Sequence, residues 1–220
     1  MLLLLRTPQL ISRTTSIASR RFISSKSFES NHYPGLYFHP SPSSKTPTYA
    51  LSFLPTPSPS PTFSPTTIGQ LSTPPSQSSE EEPPILPRYF NENPQFLDLV
   101  HEVLRENVGT DIWVDSLAKS VLNSMGGSDT FIHIADQRNP AEAQRTAQPQ
   151  DIIASILVNA ESGEVVQESY ERNKVAYRVV SELGLMRLPE SLQERLREAC
   201  RNVREVEKEV ARERGELKED

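Results

Sequence analysis

The side chains that could do chemistry gather in one stretch. His133-Ile134-Ala135-Asp136-Gln137-Arg138-Asn139-Pro140 leaves an apolar run and enters a polar loop, and Gln148-Pro149-Gln150-Asp151 returns the chain to the next apolar run. An imidazole, a carboxylate and a guanidinium at a strand end are the components of an acid–base pair or an anion site, because a sheet holds such groups rigidly. His133, Asp136 and Arg138 are therefore the candidate binding loop. The same residues admit a structural reading. In it, Asp136 and Asn139 hydrogen-bond the turn backbone, and Arg138 pairs with Asp151 or a helix C-terminus.

Other constellations fail on spacing. His101-Glu102-Val103-Leu104-Arg105 begins like a zinc-protease helix, but Arg105 stands where the second histidine must lie. The four histidines, at 32, 39, 101 and 133, show no ligand spacing, so neither a metal nor a cofactor is expected. The eight glycines form no phosphate loop, and Gly126-Gly127 follows a helical pattern rather than a strand. No GxSxG is present for an activated serine. Cys200 is the only cysteine, which excludes a disulfide framework and a thiolate metal cage. It shares a helical face with Arg197, Arg201 and Arg204, which could lower its thiol pKa; alternatively it packs as a small hydrophobe.

The elements that must position these residues follow from composition and period. Fifteen of the 19 prolines lie between Pro34 and Pro94. Runs such as Thr56-Pro57-Ser58-Pro59-Ser60-Pro61 and Thr73-Pro74-Pro75-Ser76-Gln77-Ser78-Ser79 read as extended linker, since each Pro removes a donor and fixes φ. Residues 30–87 are thus expected to be a disordered Pro/Ser-rich arm. Two strand-like islands interrupt it, Gly35–His39 and Thr48–Leu54, as a docked hairpin or as a sticky disordered arm.

A globular segment, 88–188, follows. Asn93 caps a helix with Pro94 at its first position, and Phe96, Val100, Leu104 and Val108 make one apolar face. Thr110 opens a second helix with Val114, Leu117, Ala118, Val121, Leu122 and Met125 in a stripe, ended by Gly126-Gly127. The period then changes to two. Thr130–Ala135 is a short strand, and Ile152–Tyr170 is a β-hairpin turning at Asn159–Gly163. Val175–Ser181 and Leu185–Leu188 read as a second hairpin, with a helical continuation of 175–183 as the alternative. Pro189 opens a charged C-terminal helix over 189–220. Its Leu192, Leu196, Ala199, Val203, Val206 and Val210 form a coiled-coil-like seam open to self-association. The expected fold is α+β: two N-terminal helices, a small mostly antiparallel sheet of four or five strands and a long C-terminal helix, preceded by the arm.

Residues 1–29 carry an address. Arg6, Arg13, Arg20, Arg21 and Lys26 occur among many Ser and Thr with no acid before Glu29, the composition of a mitochondrial presequence. The apolar run Leu2–Leu5 is too short for a secretory signal, and no segment is long enough to span a membrane. Arg20-Arg21-Phe22-Ile23-Ser24-Ser25 resembles a matrix processing site. It offers either a one-step cut after Phe22 or a two-step route to a mature start near Ser30. Removing 1–29 takes five of the 23 basic residues and one of the 29 acids, leaving a net charge of −10. So acidic a chain lacks the footprint of a phosphate-backbone binder, which excludes direct nucleic-acid contact and favours protein partners.

The elements Gly35–His39, Tyr49–Pro55 and Ile68-Gly69, with Phe131–Pro140 and Asp151–Ser155, resemble a family of uncharacterised filamentous-fungal proteins. The resemblance implies an α+β domain with a strand–DxR–long loop–strand segment. It also implies that both islands belong to the fold; it implies no activity. Together these readings predict a non-catalytic, soluble mitochondrial matrix protein, an accessory or assembly factor of a larger protein complex. The alternatives are a small-molecule enzyme using the His133–Arg138 loop and a mitoribosome-associated protein docked on protein neighbours.

Overall fold

A computed structural model of the chain describes residues 26–41, 48–60, 64–73, 82–125, 128–140 and 147–214. Most of the predicted presequence, the Gly126-Gly127 helix stop and Pro74–Ser79 lie outside the described residues. The architecture is α+β, with ten strands, all paired antiparallel, and three helices among these residues.

The first sheet is a meander. Strands β1 (Phe28–Glu29), β2 (Tyr37–Pro40), β3 (Thr48–Ser52), β4 (Thr67–Ser72) and β5 (Phe90–Glu92) lie side by side in chain order. This corrects the expectation of a disordered arm ahead of the domain. The islands are β2 and β3; β1 comes from the end of the predicted presequence, β4 from the Pro-rich arm and β5 from the start of the segment 88–188. Leu36, Phe38, Leu51, Ile68 and Leu71 are fully buried, so the Pro-rich region buries its own apolar side chains inside the common core. Gly69 is required in β4, because a Cβ there would lie 2.3 Å from Phe90 Cζ and 2.4 Å from the Asn91 carbonyl.

The two predicted helices therefore come after five strands rather than at the start of the fold. Helix α1 (Pro94–Asn107) is capped by Asn93, whose side-chain oxygen accepts from Gln95 N at 3.1 Å. The Asn93 amide also donates to the Ser64 and Thr67 carbonyls, at 2.8 and 2.6 Å, tying the helix start to β4. Phe96, Val100 and Leu104 are fully buried as their spacing predicts, but so, nearly, are Leu99 and Val103. The wider apolar arc has a cause: α1 packs at once against β4, the second sheet and the C-terminal helix. Helix α2 (Ile112–Met125) starts later than predicted. Its cap is Asp111, which accepts from Trp113 N and Val114 N at 2.9 and 3.1 Å, and Ile112 is left exposed.

The second sheet contains β6 (Thr130–Ala135), β7 (Ile152–Val158) and β8 (Val165–Arg172) in that order. The β7–β8 turn uses Gly163 at φ 74°, with the Asn159 side chain accepting from Glu161 N and Ser162 N. A separate two-stranded hairpin, β9 (Val180–Ser181) and β10 (Gly184–Leu185), is shorter than predicted. The single small sheet expected from the sequence is thus three sheets.

Helix α3 (Glu190–Glu213) is amphipathic, but its buried line is not the predicted seam. Leu192 and Leu196 are buried as expected. Farther along, Cys200, Arg204 and Ala211 take the inward positions, each one residue beyond the predicted Ala199, Val203 and Val210. The reason is Arg204, 2% exposed. Its guanidinium donates to the Thr56 carbonyl at 2.5 Å and to Thr66 Oγ1, and pairs with Glu207 at 3.0 Å. Ser58 Oγ donates to the same Glu207 at 3.2 Å. One buried cation and its carboxylate partner thus fasten Thr56, Ser58 and Thr66 to α3.

Removing one partner of a buried ionic cluster costs about 3–5 kcal/mol. Arg204→Ala is expected to lower the unfolding free energy by about 3 kcal/mol in urea titration, and to open the chain at Thr56–Ser58 to limited proteolysis. Unchanged stability would show that the arm docks without it.

Candidate functional site

The structure brings Asp136 and Arg138 together and separates them from His133. Asp136 follows the end of β6 and is 0% exposed. Its Oδ1 accepts from Arg138 N and Arg187 N, at 2.8 and 3.0 Å. Its Oδ2 accepts from Tyr177 Oη at 2.7 Å and pairs with Arg138 Nη2 at 2.9 Å. All four acceptor positions of the carboxylate are filled by the protein.

Arg138 is used in the same way. Its side chain is 4% exposed. Nη1 donates to the Val179 and Gly184 carbonyls at 3.1 and 2.7 Å, and Nη2 to the Arg178 carbonyl at 2.9 Å. The guanidinium therefore adds donors to backbone oxygens at and just before the β9–β10 hairpin, among them the Val179 carbonyl that also accepts from Met186 N. Only its Nε lacks a partner, and that nitrogen is buried. Tyr177 lies beneath, 1% exposed. Burial, reinforced by the Asp136 charge, pushes its phenol well above the ordinary tyrosine range, so it stays protonated and donating. Asn139 donates to Asp151 Oδ2 at 2.9 Å, so Arg138 pairs with Asp136 and not with Asp151. The cluster holds charge but has no free acceptor and no opening.

His133 belongs to a different surface. It sits across from Ser155 in the β6–β7 register, and its Nδ1 lies 2.8 Å from Ser155 Oγ. A serine beside a histidine suggests a nucleophile, but a cross-strand hydrogen bond between opposed residues has the same form. No third group orients the imidazole among the described residues, and burial lowers its pKa. Phe131, two residues earlier on that face, is 49% exposed.

Sequence reasoning missed a groove of about 900 Å³ between α1 and the second sheet. At its wall His101, 6% exposed, places Nδ1 2.8 Å from Tyr170 Oη. Burial pushes the imidazole down to about 4, and the Arg172 charge acts in the same direction against Asp98. Burial raises the Tyr170 phenol. The pair is therefore a neutral hydrogen-bonded contact between α1 and β8 over the physiological range. Around it, Arg172 pairs with Asp98 at 2.6 Å, and Glu102, Arg105, Glu171 and Lys174 line the mouth. Three acids face three bases, so the groove carries no net charge to select an anion or a cation. His101 was visible in sequence only as a failed zinc motif; nothing there linked it to Tyr170, 69 positions away.

Cys200 is fully buried, and burial pushes its thiol up to about 12 despite Arg204 and Arg201 nearby, which makes it a packing residue rather than a nucleophile. Among the described residues no group of three His, Cys, Asp or Glu could hold a metal ion, and no helix is long and apolar enough to cross a membrane. Comparison with known proteins finds no matching family model, no similar curated protein and no similar solved structure.

Two outcomes test these assignments. Asp136→Ala strands the Arg138 guanidinium and the Tyr177 hydroxyl in the interior, and is expected to destabilise by about 3–5 kcal/mol; a stable variant would return the loop to consideration as a site. His101 titrates near 4 folded and near 6.5 unfolded. The unfolded chain therefore holds the extra proton between those values, and stability falls as pH drops from about 6.5 toward 4, by at most about 1.4 kcal/mol per pH unit. Subtracting the stability curve of His101→Gln should isolate that slope, and a flat difference would refute the assignment.

Proposed function

We propose that this chain is a non-catalytic mitochondrial matrix protein that binds a partner protein, as an accessory or assembly factor of a larger complex. The observation that carries the reading lies on α3. Because its buried line passes through Cys200, Arg204 and Ala211, the apolar residues Val203, Val206 and Val210 are left along the flank of the helix. Val206 is 59% and Val210 37% exposed. Charged pairs border the stripe, among them Lys208–Glu205 at 2.8 Å and Arg195–Glu198 at 3.5 Å. An apolar strip at three- and four-residue steps between alternating charges suits an amphipathic helix of another protein.

The basic, Ser-rich and acid-free leader supports the matrix location. The net charge of −10 beyond residue 29 supports a protein partner over a nucleic acid. An enzyme built on the His133–Arg138 loop finds less support, because Asp136 and Arg138 are committed internally and His133 is turned away from them. A mitoribosomal partner is compatible with the same surface, through its proteins.

Affinity purification of the C-terminally tagged chain from isolated mitochondria is expected to recover stoichiometric companions. Val206→Glu with Val210→Glu should reduce that recovery about tenfold or more, a loss of at least about 1.4 kcal/mol of binding. Both residues are exposed, so stability should shift by about 0.5 kcal/mol or less. A bait that fractionates with mitochondria but runs strictly as a lone monomer would overturn the proposal.

A further inference from the structure

A cavity of about 510 Å³ lies between α3 and the first sheet, and its positive charge is not used up by the fold. We propose that it binds a small monocarboxylate with an apolar body, the carboxylate held between Arg197 and Arg201 and the body against Phe53 and Leu54. The site is separate from the valine flank and does not rest on the partner reading above. Arg197, Arg201, Arg204 and Lys208 recur at steps of four, three and four, so they form one line along α3. Val203, Val206 and Val210 run on the other side of the buried line through Leu196, Cys200 and Ala211.

The charge balance points to the anion. Among the described residues lining the cavity, those four cations face two acids, Glu194 and Glu205. Arg204 is balanced by Glu207 at 3.0 Å, and Lys208 by Glu205 at 2.8 Å. Arg197 and Arg201 are left to share one carboxylate, Glu194. Glu29 is held elsewhere, its two oxygens accepting from Gly35 N and Tyr37 Oη at 2.8 and 3.3 Å. One positive charge is therefore left over at this spot, in a chain whose net charge beyond residue 29 is −10.

The hydrogen bonds point to the same pair. Arg197 Nη1 reaches Glu194 at 3.5 Å and Nη2 the Pro34 carbonyl at 3.3 Å, both long for such bonds. Its Nε is buried and has no partner. Arg201, with its side chain 57% exposed, donates to Glu194 at 3.1 Å. Arg204 on the same line has its donors taken by Thr56, Thr66 and Glu207. Two planar forks short of acceptors match a carboxylate, which can accept from both. A phosphate dianion would exceed the single surplus charge. The rest of the wall is apolar, since Phe53 and Leu54 are nearly buried and Pro55 stands beside them. Small-molecule sites span about 300–1,000 Å³, and the cavity falls in that range.

The test follows the arginine Nε–H resonances of the isotope-labelled full chain by NMR while hydrocinnamate is added. A saturable shift of the Arg197 Nε–H is expected, with a Kd on the order of a few millimolar or tighter, and no shift with the uncharged hydrocinnamamide. Arg201→Gln changes an exposed side chain and is expected to weaken binding about tenfold. Glu194→Gln removes the competing carboxylate and is expected to tighten it about threefold. A purely structural ion network would give no saturable shift. That result, equal binding of the amide, binding of inorganic phosphate in place of hydrocinnamate, or weaker binding in Glu194→Gln would each overturn the proposal. A peptide ending in a free phenylalanine carboxylate supplies the same chemistry from a protein chain end. If it bound where hydrocinnamate did not, the small-molecule assignment would fall.

Discussion

The Asp136 carboxylate is the constraint around which the second half of the fold is arranged. A buried anion costs several kcal/mol in desolvation unless its lone pairs are filled. Here they are filled from three places in the chain: the loop after β6, Tyr177, and the backbone just before α3 through Arg187 N. Arg138 extends the grip to the carbonyls of Val179 and Gly184. None of these segments has a long ladder of its own, since β9 and β10 are two residues each. Directional bonds to one charge replace the ladder, and they also fix the angle at which the chain enters α3. A carboxylate occupied in this way is unavailable to a substrate.

Arg204 solves the corresponding problem in the first half. Proline-rich chain is rich in acceptors and poor in donors, because each Pro keeps its carbonyl and loses its N–H. Packed against a helix, such a segment needs donors supplied from outside. The guanidinium provides them as a planar fork, reaching Thr56 O and Thr66 Oγ1 from a single residue of α3, while Glu207 balances the charge. Arg197 repeats the arrangement one face along, donating to the Pro34 carbonyl at 3.3 Å beside Gly35. The arm is folded because a helix far away in sequence carries its missing donors.

That long-range supply explains which elements were legible. The α1 cap at Asn93-Pro94, the β7–β8 hairpin with its Asn159–Gly163 turn and the α3 start beyond Pro189 are encoded locally, and each forms at or near its predicted place. Strands β4 and β5 have no such code. Thr67–Ser72 contains a glycine and a glutamine, and Phe90–Glu92 is three residues long. They become strands because β3 and the start of α1 lie beside them. The shift of the α3 face by one residue was equally hidden, since a heptad reading assigns an arginine outward unless its partners are known. In the Asp136-Gln137-Arg138 segment the local turn bond to Asp136 was legible, but the long-range bonds were not. The partner that commits them to the interior, Tyr177, lies 41 positions downstream of Asp136.

The placement of Arg204 also decides what α3 can present. Were the seam Leu192–Leu196–Ala199–Val203–Val206–Val210 the buried line, the helix would expose only charge beyond its midpoint. Turning inward on Cys200, Arg204 and Ala211 moves the valines to the flank while the charged residues keep the outer face. The apolar flank is thus a consequence of arm docking and not an independent feature. The same docking ties α3 at Arg204 and Glu207 to Thr56, Ser58 and Thr66, so a partner helix seated on Val206 and Val210 would meet a surface anchored beside it and lose less conformational entropy on binding.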